Sequence, residues 1–424
     1  MDARPVVMDL SVYTFRVMRA VDAVIPMVLM RRAPFLKDCE DYTTEQNRCQ
    51  GEIYRFVHLF CKMGPTACFP VPVFRNSWYD EKQQSGKITE NAGMTEEMIA
   101  KLFETRGLGK VVSPVMPVSG GFMHRMFRAE TGENAYAVKH LNPEIMKRPG
   151  VMENYRRAEE LEQILEDAGI PVVPALMLNG RKMQELDGEY FYIFRWQEGR
   201  ITDWQNITAG QCREAGNIQG RIHALRPMKK HTEPGISDID WHAYTEEAAC
   251  RGSEIAELLQ ENEPLLYDVQ EKLNRARQAL PDIECITDED MDPKNVMWND
   301  GKPMVIDLEC LDYGNPVSNA LQLSLQWAGI TTCMLDTEKM EAFFEGYLEV
   351  YDNGFRDYGS VLGLAYTWIE WLEYNITRAL GKCQDENERQ MGITEAWNTV
   401  NRIRYIRESE DRIRQQLNCL SEKK

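Results

Sequence analysis

Apolar and polar residues alternate over residues 114–142, a pattern typical of short antiparallel strands. This segment, PVMPVSGGFMHRMFRAETGENAYAVKHLN, contains a Gly-Gly turn and a TGEN turn between its apolar runs. The next segment, NYRRAEELEQILEDAGIP, has the apolar spacing of an amphipathic helix and ends at Gly169 and Pro171. Two further strand-like runs follow, VVPALML and EYFYIFRW. The pattern therefore predicts a small β-rich lobe that contains one helix.

The pattern becomes mostly helical from about residue 207, and helical segments continue to residue 418. One stretch, residues 286–309, interrupts the helices with two short strand-like runs, VMW and PMVID. We predict an α+β fold with a small antiparallel β-sheet lobe, a larger, mostly helical lobe and a cleft between them. The predicted boundaries place the β-rich lobe at residues 94–198 and the helical lobe at residues 199–424.

Residues 1–93 are predicted to be an N-terminal extension and linker of unknown fold, followed by a helix with Thr95 as its N-cap. Part of this extension, residues 6–32, is apolar, but charged side chains interrupt it repeatedly. Its longest uninterrupted run, AVIPMVLM, is too short to span a bilayer, and Asp2 is unlike the positive start of a signal peptide. We expect no membrane span.

Acidic residues outnumber basic ones, 67 to 49, which gives the 424-residue chain a formal net charge of −18. This charge disfavours a nucleic-acid partner and favours cationic ligands or metal ions, although an acidic surface also simply keeps a protein soluble. The eleven cysteines contain no CxxC pair. They are interpreted as reduced thiols of a cytoplasmic protein.

The stretch ITDEDMDPKNVMWNDGKPMVIDLE concentrates carboxylates beside apolar strand-like runs. Asp290 and Asn295 have the spacing D-x-x-x-x-N, and Asp307 ends the second strand. Phosphoryl transfer needs a carboxylate that accepts the proton of the attacking hydroxyl, and oxygen ligands for a Mg²⁺ ion that bridges nucleotide phosphates. Asp290 can serve as the first, and Asn295 and Asp307 as the second. An acidic surface turn would explain one of these residues, but not the apolar strands that frame all three.

The β-rich lobe contains candidates for nucleotide binding. Gly120 and Gly121 allow the backbone to lie close over phosphates, although an isolated Gly-Gly pair is usually a hairpin turn. Lys139 lies in an apolar strand, where an inward ammonium needs an anionic partner; an edge strand with the lysine in solvent is the alternative. Glu159 of the following helix is the best candidate partner, with Glu160 and Glu162 as competitors.

In this order and combination, these motifs resemble the aminoglycoside phosphotransferase and choline kinase family, which has a bilobal protein-kinase-like fold, over residues 94–418. The resemblance implies ATP or GTP and Mg²⁺ as cofactors, with Asp290 as the catalytic base and Asn295 and Asp307 as metal ligands. It also implies that Lys139 contacts the α- and β-phosphates beside Glu159, under the Gly120–Gly121 turn. The backbone of Phe194–Trp196 would be the hinge that meets adenine.

One position departs from the family, which usually has a histidine where this chain has Asp288. A second carboxylate near Asp290 would raise the pKa of one of the two. His223, in the RIHAL segment, matches a family position and is interpreted as a structural residue that packs under the catalytic loop.

The segment YTWIEWLEYNITRAL places Trp368, Trp371 and Asn375 on roughly one helix face, with two glutamates at its flanks. Aromatic rings and carboxylates suit an amino or quaternary ammonium group, and Glu309 could also face the cleft. Ordinary core packing of the tryptophans is the stronger alternative. These residues are therefore only candidates for binding a small-molecule acceptor.

Two functional hypotheses follow. The first is an ATP-dependent phosphotransferase that uses the alcohol group of a small molecule, such as an aminoglycoside, a choline-like alcohol or a sugar. The second is a catalytically weak or inactive kinase-like protein that binds nucleotide. A protein serine/threonine kinase is disfavoured, because no DFG or APE motif follows Asp307.

Overall fold

The computed structural model describes residues 88–118, 124–231, 233–383 and 385–422. Almost all of the predicted N-terminal extension lies outside these residues, and so do Gly120 and Gly121. The described strands are β1 Met116–Val118, β2 Arg125–Glu130, β3 Ala135–His140, β4 Gln184–Leu186, β5 Glu189–Arg195, β6 Arg200–Ile201, β7 Met228–Lys229, β8 Ile283–Asp288, β9 Val296–Asn299, β10 Lys302–Val305 and β11 Leu311–Gly314. The α-helices are α1 Ile88–Thr105, α2 Pro143–Met146, α3 Val151–Asp167, α4 Ala209–Ala224, α5 Trp241–Cys250, α6 Ala256–Gln278, α7 Pro316–Trp327, α8 Thr337–Val350, α9 Trp368–Ala379 and α10 Glu386–Glu422.

The β-rich lobe is a five-stranded antiparallel sheet in the order β1-β2-β3-β5-β4. Apolar and polar residues alternate along its strands because successive side chains point to opposite faces of the sheet. On β3, Tyr136 and Val138 are buried in one apolar cluster with Leu102 and Phe103 of α1. Lys139 directly follows Val138 in β3. Its side chain therefore points to the opposite face of the sheet, away from α1 and toward the cleft.

Helix α1 starts at Ile88, earlier than the helix predicted with Thr95 as its N-cap. Residues 88–94, ITENAGM, contain no proline that would break the helix before Thr95.

Helix α3 connects the sheet to the helical lobe. Its buried residues recur at helical spacing, as the amphipathic pattern predicted. Ala158, Leu161 and Leu165 share one apolar cluster with Val296 and Val305, which belong to the short strands of the carboxylate-rich stretch. The helix therefore packs directly behind the strands that present the candidate catalytic residues.

The helical lobe is built on closely packed helices, and α4 and α8 approach each other through glycines. A Cβ atom on Gly216 would lie 1.9 Å from the carbonyl oxygen of Phe343, and one on Gly346 would lie 1.9 Å from that of Arg213. Such a close approach is possible only where side chains are absent. The predicted α+β division into a β-sheet lobe and a larger helical lobe is confirmed.

Two small antiparallel sheets lie within the helical lobe, in the orders β10-β9-β6 and β11-β8-β7. Among the described residues, every helix is too short or too polar to cross a lipid bilayer.

Candidate active site

The β9–β10 hairpin brings Asn295 and Asp307 together, although twelve positions separate them in sequence. Val296 pairs with Val305 in the hairpin, and the backbone N–H of Ile306 donates to the carbonyl oxygen of Asn295 at 2.9 Å. Asn295 and Asp307 therefore flank the base of the hairpin. Asp307 has a left-handed backbone conformation (φ 62°, ψ 60°), which is uncommon for a residue with a side chain and frequent at functional sites.

Asp290 lies against Asn295, as the motif predicted. The amide nitrogen Nδ2 of Asn295 donates to Oδ2 of Asp290 at 2.9 Å and to the Asp290 carbonyl oxygen at 2.8 Å. The ammonium of Lys294 donates to Oδ1 of Asp290 and, at 2.8 Å, to Oδ2 of Asp292. Both carboxylate oxygens of Asp290 are therefore held by donors of its own loop.

Lys139 is buried and paired with carboxylates, so the alternative of an edge strand with the lysine in solvent is wrong. Its Nζ atom donates to Oδ1 of Asp307 at 2.6 Å and to Oε2 of Glu309 at 2.7 Å. It does not pair with Glu159, which instead accepts hydrogen bonds from the Met183 N–H and the Tyr192 hydroxyl, both at 2.9 Å.

The two competing glutamates of α3 are also directed elsewhere. Glu162 forms a buried ion pair with Lys182 at 2.7 Å, and Glu160 is exposed. The prediction that Lys139 needs anionic partners is therefore confirmed, but the partners lie after β10 and not on α3. Glu309, considered for the acceptor, lies instead beside Lys139.

The donor set at Asn295 and Asp307 suits a hard divalent cation such as Mg²⁺. No described residue donates to Oδ1 of Asn295 or to Oδ2 of Asp307, so both oxygens are open to a ligand. Burial raises the pKa of Asp307, and the charges of Glu309 and Asp290 raise it further while Lys139 opposes them; a cation would act in the same direction as Lys139.

Within the part of the chain that the structure describes, no three His, Cys, Asp or Glu side chains converge to hold a metal by themselves. Mg²⁺ usually takes one or two protein oxygens and completes its shell with phosphates and water, and Asn295 and Asp307 could supply two such oxygens.

Asp288 is almost fully buried beneath the loop that carries Asp290. Its Oδ1 atom accepts the backbone N–H of Asp290 at 3.0 Å, and its Oδ2 atom is buried without a partner among the described residues. Burial raises the pKa of Asp288 to about 8, and the charge of Asp290 adds to the shift. The carboxyl group is therefore mostly protonated at neutral pH and places little extra negative charge beside Asp290.

His223 packs beneath the loop that carries Asp290 and is linked to it through Asn319, as expected for a structural residue. Its Nδ1 atom lies 2.8 Å from the Tyr347 hydroxyl, and its Nε2 atom lies 3.0 Å from Oδ1 of Asn319. Asn319 in turn donates to the carbonyl oxygen of Asp288 at 3.1 Å. Burial lowers the pKa of His223 to about 4, so the ring is neutral, and its contacts are those of a structural residue.

Of the predicted hinge residues Phe194 and Trp196, the first borders a pocket and the second does not. Phe194 lines a small pocket together with Lys139, Glu159 and Tyr192. Trp196 does not line it, and its backbone N–H donates to the carbonyl oxygen of Ala135 at 3.0 Å. The Trp196 amide is thus part of the sheet, and only Phe194 reaches the pocket.

A cavity of about 400 Å³ opens directly beside Asp290. Its described lining residues come from the loop that carries Asp290, from α7 and α9, and from the turns around them: Glu289, Asp290, Gln322, Leu325, Gln326, Ile330, Leu364, Ala365, Thr367, Trp368, Glu370 and Trp371. The predicted acceptor residues Trp368 and Trp371 are among them. Asn375 is not; it is fully buried, donates to the Trp371 carbonyl oxygen and accepts from Arg378.

The cavity wall is acidic, and its carboxylates differ in their partners. Glu370 is neutralised by Arg277, which donates to its two oxygens at 2.8 and 3.0 Å. Glu289 is exposed and has no hydrogen bond or ion pair with any described residue. The guanidinium of Arg402 lies 4.0 Å from the centre of the Trp368 ring, so one face of that ring is already covered by a cation of the protein itself.

Three residues that contribute to these sites were not identified from the sequence: His124, Glu289 and Lys294. Glu289 and Lys294 are in the quoted acidic stretch, and adjacency to Asp290 and Asn295 was the available signal. His124, which contacts Glu309, offered no comparable signal because its partner is distant in sequence.

A two-lobed structure with a lysine of the sheet facing an Asp–Asn–Asp set is the arrangement of a kinase-type phosphotransferase. The chain belongs to the phosphotransferase enzyme family, whose model matches residues 114–364. This confirms the resemblance drawn from the motifs.

Solved structures of the same fold include a spectinomycin phosphotransferase in complex with ADP and spectinomycin. It is 12% identical to this chain, the match covers 72% of this chain and 97% of that one, and the TM-score is 0.57. A choline/ethanolamine kinase family protein from Mesorhizobium loti is 16% identical, with coverage of 77% and 99% and a TM-score of 0.50. At such identities the likeness concerns the fold alone. A search of curated proteins found no match.

Proposed function

We propose that this protein transfers the γ-phosphoryl group of ATP to a hydroxyl group of a small molecule bound in the cavity beside Asp290. The observation that carries the proposal is the position of Asp290. Its carboxylate contacts Asn295, which shares the hairpin base with Asp307, and it also lines the 400 Å³ cavity. One carboxylate thus lies between the candidate nucleotide side and the candidate acceptor side.

In this proposal, Asp290 accepts the proton of the acceptor hydroxyl as its oxygen attacks phosphorus. Oδ1 of Asp290, now bonded to Lys294, is the atom that would receive the acceptor, while Asn295 keeps Oδ2 oriented. Lys139 would bind nucleotide phosphates, and Asn295 and Asp307 would hold Mg²⁺. When bound, this ion supplies positive charge to the phosphate oxygens. A cytoplasmic location, with ATP available and thiols reduced, belongs to the proposal.

The cavity supports an amino-bearing acceptor. Among the described residues that line it, none is Lys or Arg, and Glu289 offers a carboxylate without an internal partner. A volume of about 400 Å³ lies within the range of sites for small organic ligands. Because Arg402 covers a face of Trp368, we assign the attraction for an ammonium group to Glu289 in preference to that ring.

The test is ATP consumption with Mg²⁺ in the presence of a panel of aminoglycosides, choline-like alcohols and neutral sugars. We expect acceptor-dependent turnover that Asp290→Asn reduces by about 10²-fold or more. The matched control is Asp300→Asn, in the hairpin turn, where φ is 48° and asparagine is well tolerated.

The second candidate is a nucleotide-binding protein with little or no activity. The direct pair between Lys139 and Asp307 favours it, because the lysine occupies a carboxylate oxygen assigned to the metal ligand. ATP binding without acceptor-dependent turnover in the wild type, unchanged in Asp290→Asn, would support this candidate and exclude the first.

A further inference from the structure

Glu309 makes two contacts that neither the motif nor the proposed reaction requires. Its Oε2 atom accepts from the ammonium of Lys139 at 2.7 Å, and its Oε1 atom lies 3.0 Å from Nε2 of His124. The side chains of Lys139 and His124 are only 7% and 5% exposed, so both contacts are shielded from water. Glu309 is thus held from two sides by groups of the β-rich lobe.

The second contact of His124 determines which of its ring nitrogens carries the proton. Its Nδ1 atom accepts the backbone N–H of Asn142 at 3.0 Å, so this nitrogen carries no proton. In the neutral ring the proton is then on Nε2, and His124 donates to Glu309. Glu309 therefore accepts a hydrogen bond at each of its two carboxylate oxygens, one from Lys139 and one from His124.

His124 also links separate elements. It directly precedes β2, its bond partner Asn142 follows β3, and Glu309 lies in the turn after Asp307. The same imidazole ring thus ties two strands of the sheet to the segment that carries the candidate metal ligand.

We propose that Glu309, fixed by His124, is the positioning residue for Lys139 and takes the place expected for a glutamate of α3. This inference rests on the proposed function, in which Lys139 binds phosphate and Asp307 binds metal. If Asp307 held a metal ion, Glu309 would be the carboxylate that keeps the buried ammonium paired and directed at the nucleotide. Glu159 has a different task, because its carboxylate is occupied by Met183 and Tyr192.

The test compares Glu309→Gln with Glu159→Gln. The first readout needs no nucleotide: it is the rate of reductive methylation of Lys139, measured by mass spectrometry relative to exposed Lys302 in the same molecule. We expect Glu309→Gln to raise this rate about tenfold, because the ammonium then keeps only one of its two carboxylate partners and is held less firmly away from the reagent. Glu159→Gln should change it less than about twofold.

A pair of His124 variants gives an independent readout. His124→Gln keeps a nitrogen donor near the Nε2 position, and His124→Phe removes it. We expect the glutamine variant to retain the protection of Lys139 and the phenylalanine variant to lose it. If Glu309→Gln does not fold, this pair still decides. Equal labelling in both His124 variants, or a larger effect of Glu159→Gln than of Glu309→Gln, would overturn the inference.

The second readout is the KM for ATP against kcat. We expect Glu309→Gln to raise KM about tenfold with a smaller change in kcat, and His124→Gln to restore most of the loss seen in His124→Phe. A wild type that binds no nucleotide would contradict the proposed function, while the labelling result would still report whether Glu309 holds Lys139. If Glu309→Gln raised only the Mg²⁺ concentration needed for activity and left KM for ATP unchanged at saturating Mg²⁺, Glu309 would be a metal ligand. That result would overturn the positioning role.

Discussion

The side chains of Asn295 and Asp290 are locked together by a hydrogen bond of 2.9 Å from Nδ2 of Asn295 to Oδ2 of Asp290. A second bond, from the same nitrogen to the Asp290 carbonyl oxygen, fixes the orientation of the amide. The amide oxygen of Asn295 is consequently the atom left for a metal ion. One side chain thereby couples the geometry of the candidate base to that of the candidate metal site.

Replacing Asn295 should therefore affect both functions, and two variants separate them. Asn295→Ala removes the donor and the oxygen, and we expect kcat to fall about 10²-fold or more. Asn295→Asp keeps an oxygen ligand but places a carboxylate against Asp290, which raises the apparent pKa of the pair. The acid limb of the kcat profile should then move to higher pH while the Mg²⁺ requirement is retained. An Asn295→Asp profile identical to wild type would contradict the coupling.

Glu289 should determine affinity for an amino-bearing acceptor. It is the lining carboxylate without a hydrogen bond or ion pair to any described residue, so Glu289→Gln removes a negative charge that is available to a ligand at the cavity wall. We expect KM for a cationic acceptor to rise about tenfold, with KM for ATP unchanged and no effect on a neutral sugar. Steady-state kinetics with both acceptor types measure this. Glu373→Gln is the control, since Glu373 accepts from Tyr244 and does not line the cavity.

Relationships between residues close together in the chain could be predicted from the sequence, and relationships between distant residues could not. Asp290, Asn295 and Asp307 lie within one hairpin-containing stretch, so spacing and strand pattern were enough to predict that they meet. The partner of Lys139 depended on the rotation of α3 and on the path of the chain after Asp307, which sequence periodicity does not report. The position of Asn375 outside the cavity lining could not be predicted for a related reason. A helical face defined by residue spacing is wide, and packing against the neighbouring helix determines which part of that face borders a cavity.

Asp288 should make the stability of the protein depend on pH. Its pKa of about 8 in the folded state exceeds the ordinary value of about 3.9 for an unfolded chain. Between these values the folded state binds a proton that the unfolded state lacks, so stability is greatest at low pH and is lost as pH rises through about 8.

Asp288→Asn removes this titration and retains an oxygen that can accept the Asp290 N–H. We expect the wild type to lose about 2 kcal/mol or more relative to Asp288→Asn between pH 5 and 9, in urea unfolding monitored by circular dichroism. Parallel pH profiles for the two proteins would show that Asp288 is ionised in the folded state or titrates normally. Asp300→Asn, in the hairpin turn, controls for the general effect of removing a carboxylate.

The contact between α4 and α8 should tolerate no side chain at Gly216. A Cβ atom there would lie 1.9 Å from the carbonyl oxygen of Phe343, which is backbone and cannot move aside without separating the helices. We expect Gly216→Ala to destabilise the protein by about 3 kcal/mol or more, despite the higher helix propensity of alanine. Gly210→Ala, in the same helix, is the matched control: its nearest neighbour would be the Thr208 hydroxyl at 3.8 Å, and we expect an unchanged or slightly higher Tm. Equal Tm values for the two variants would contradict the close packing of these helices. His223 of α4 contacts Tyr347 of α8, so separating the helices should also weaken the hydrogen bonds that link His223, through Asn319, to Asp288.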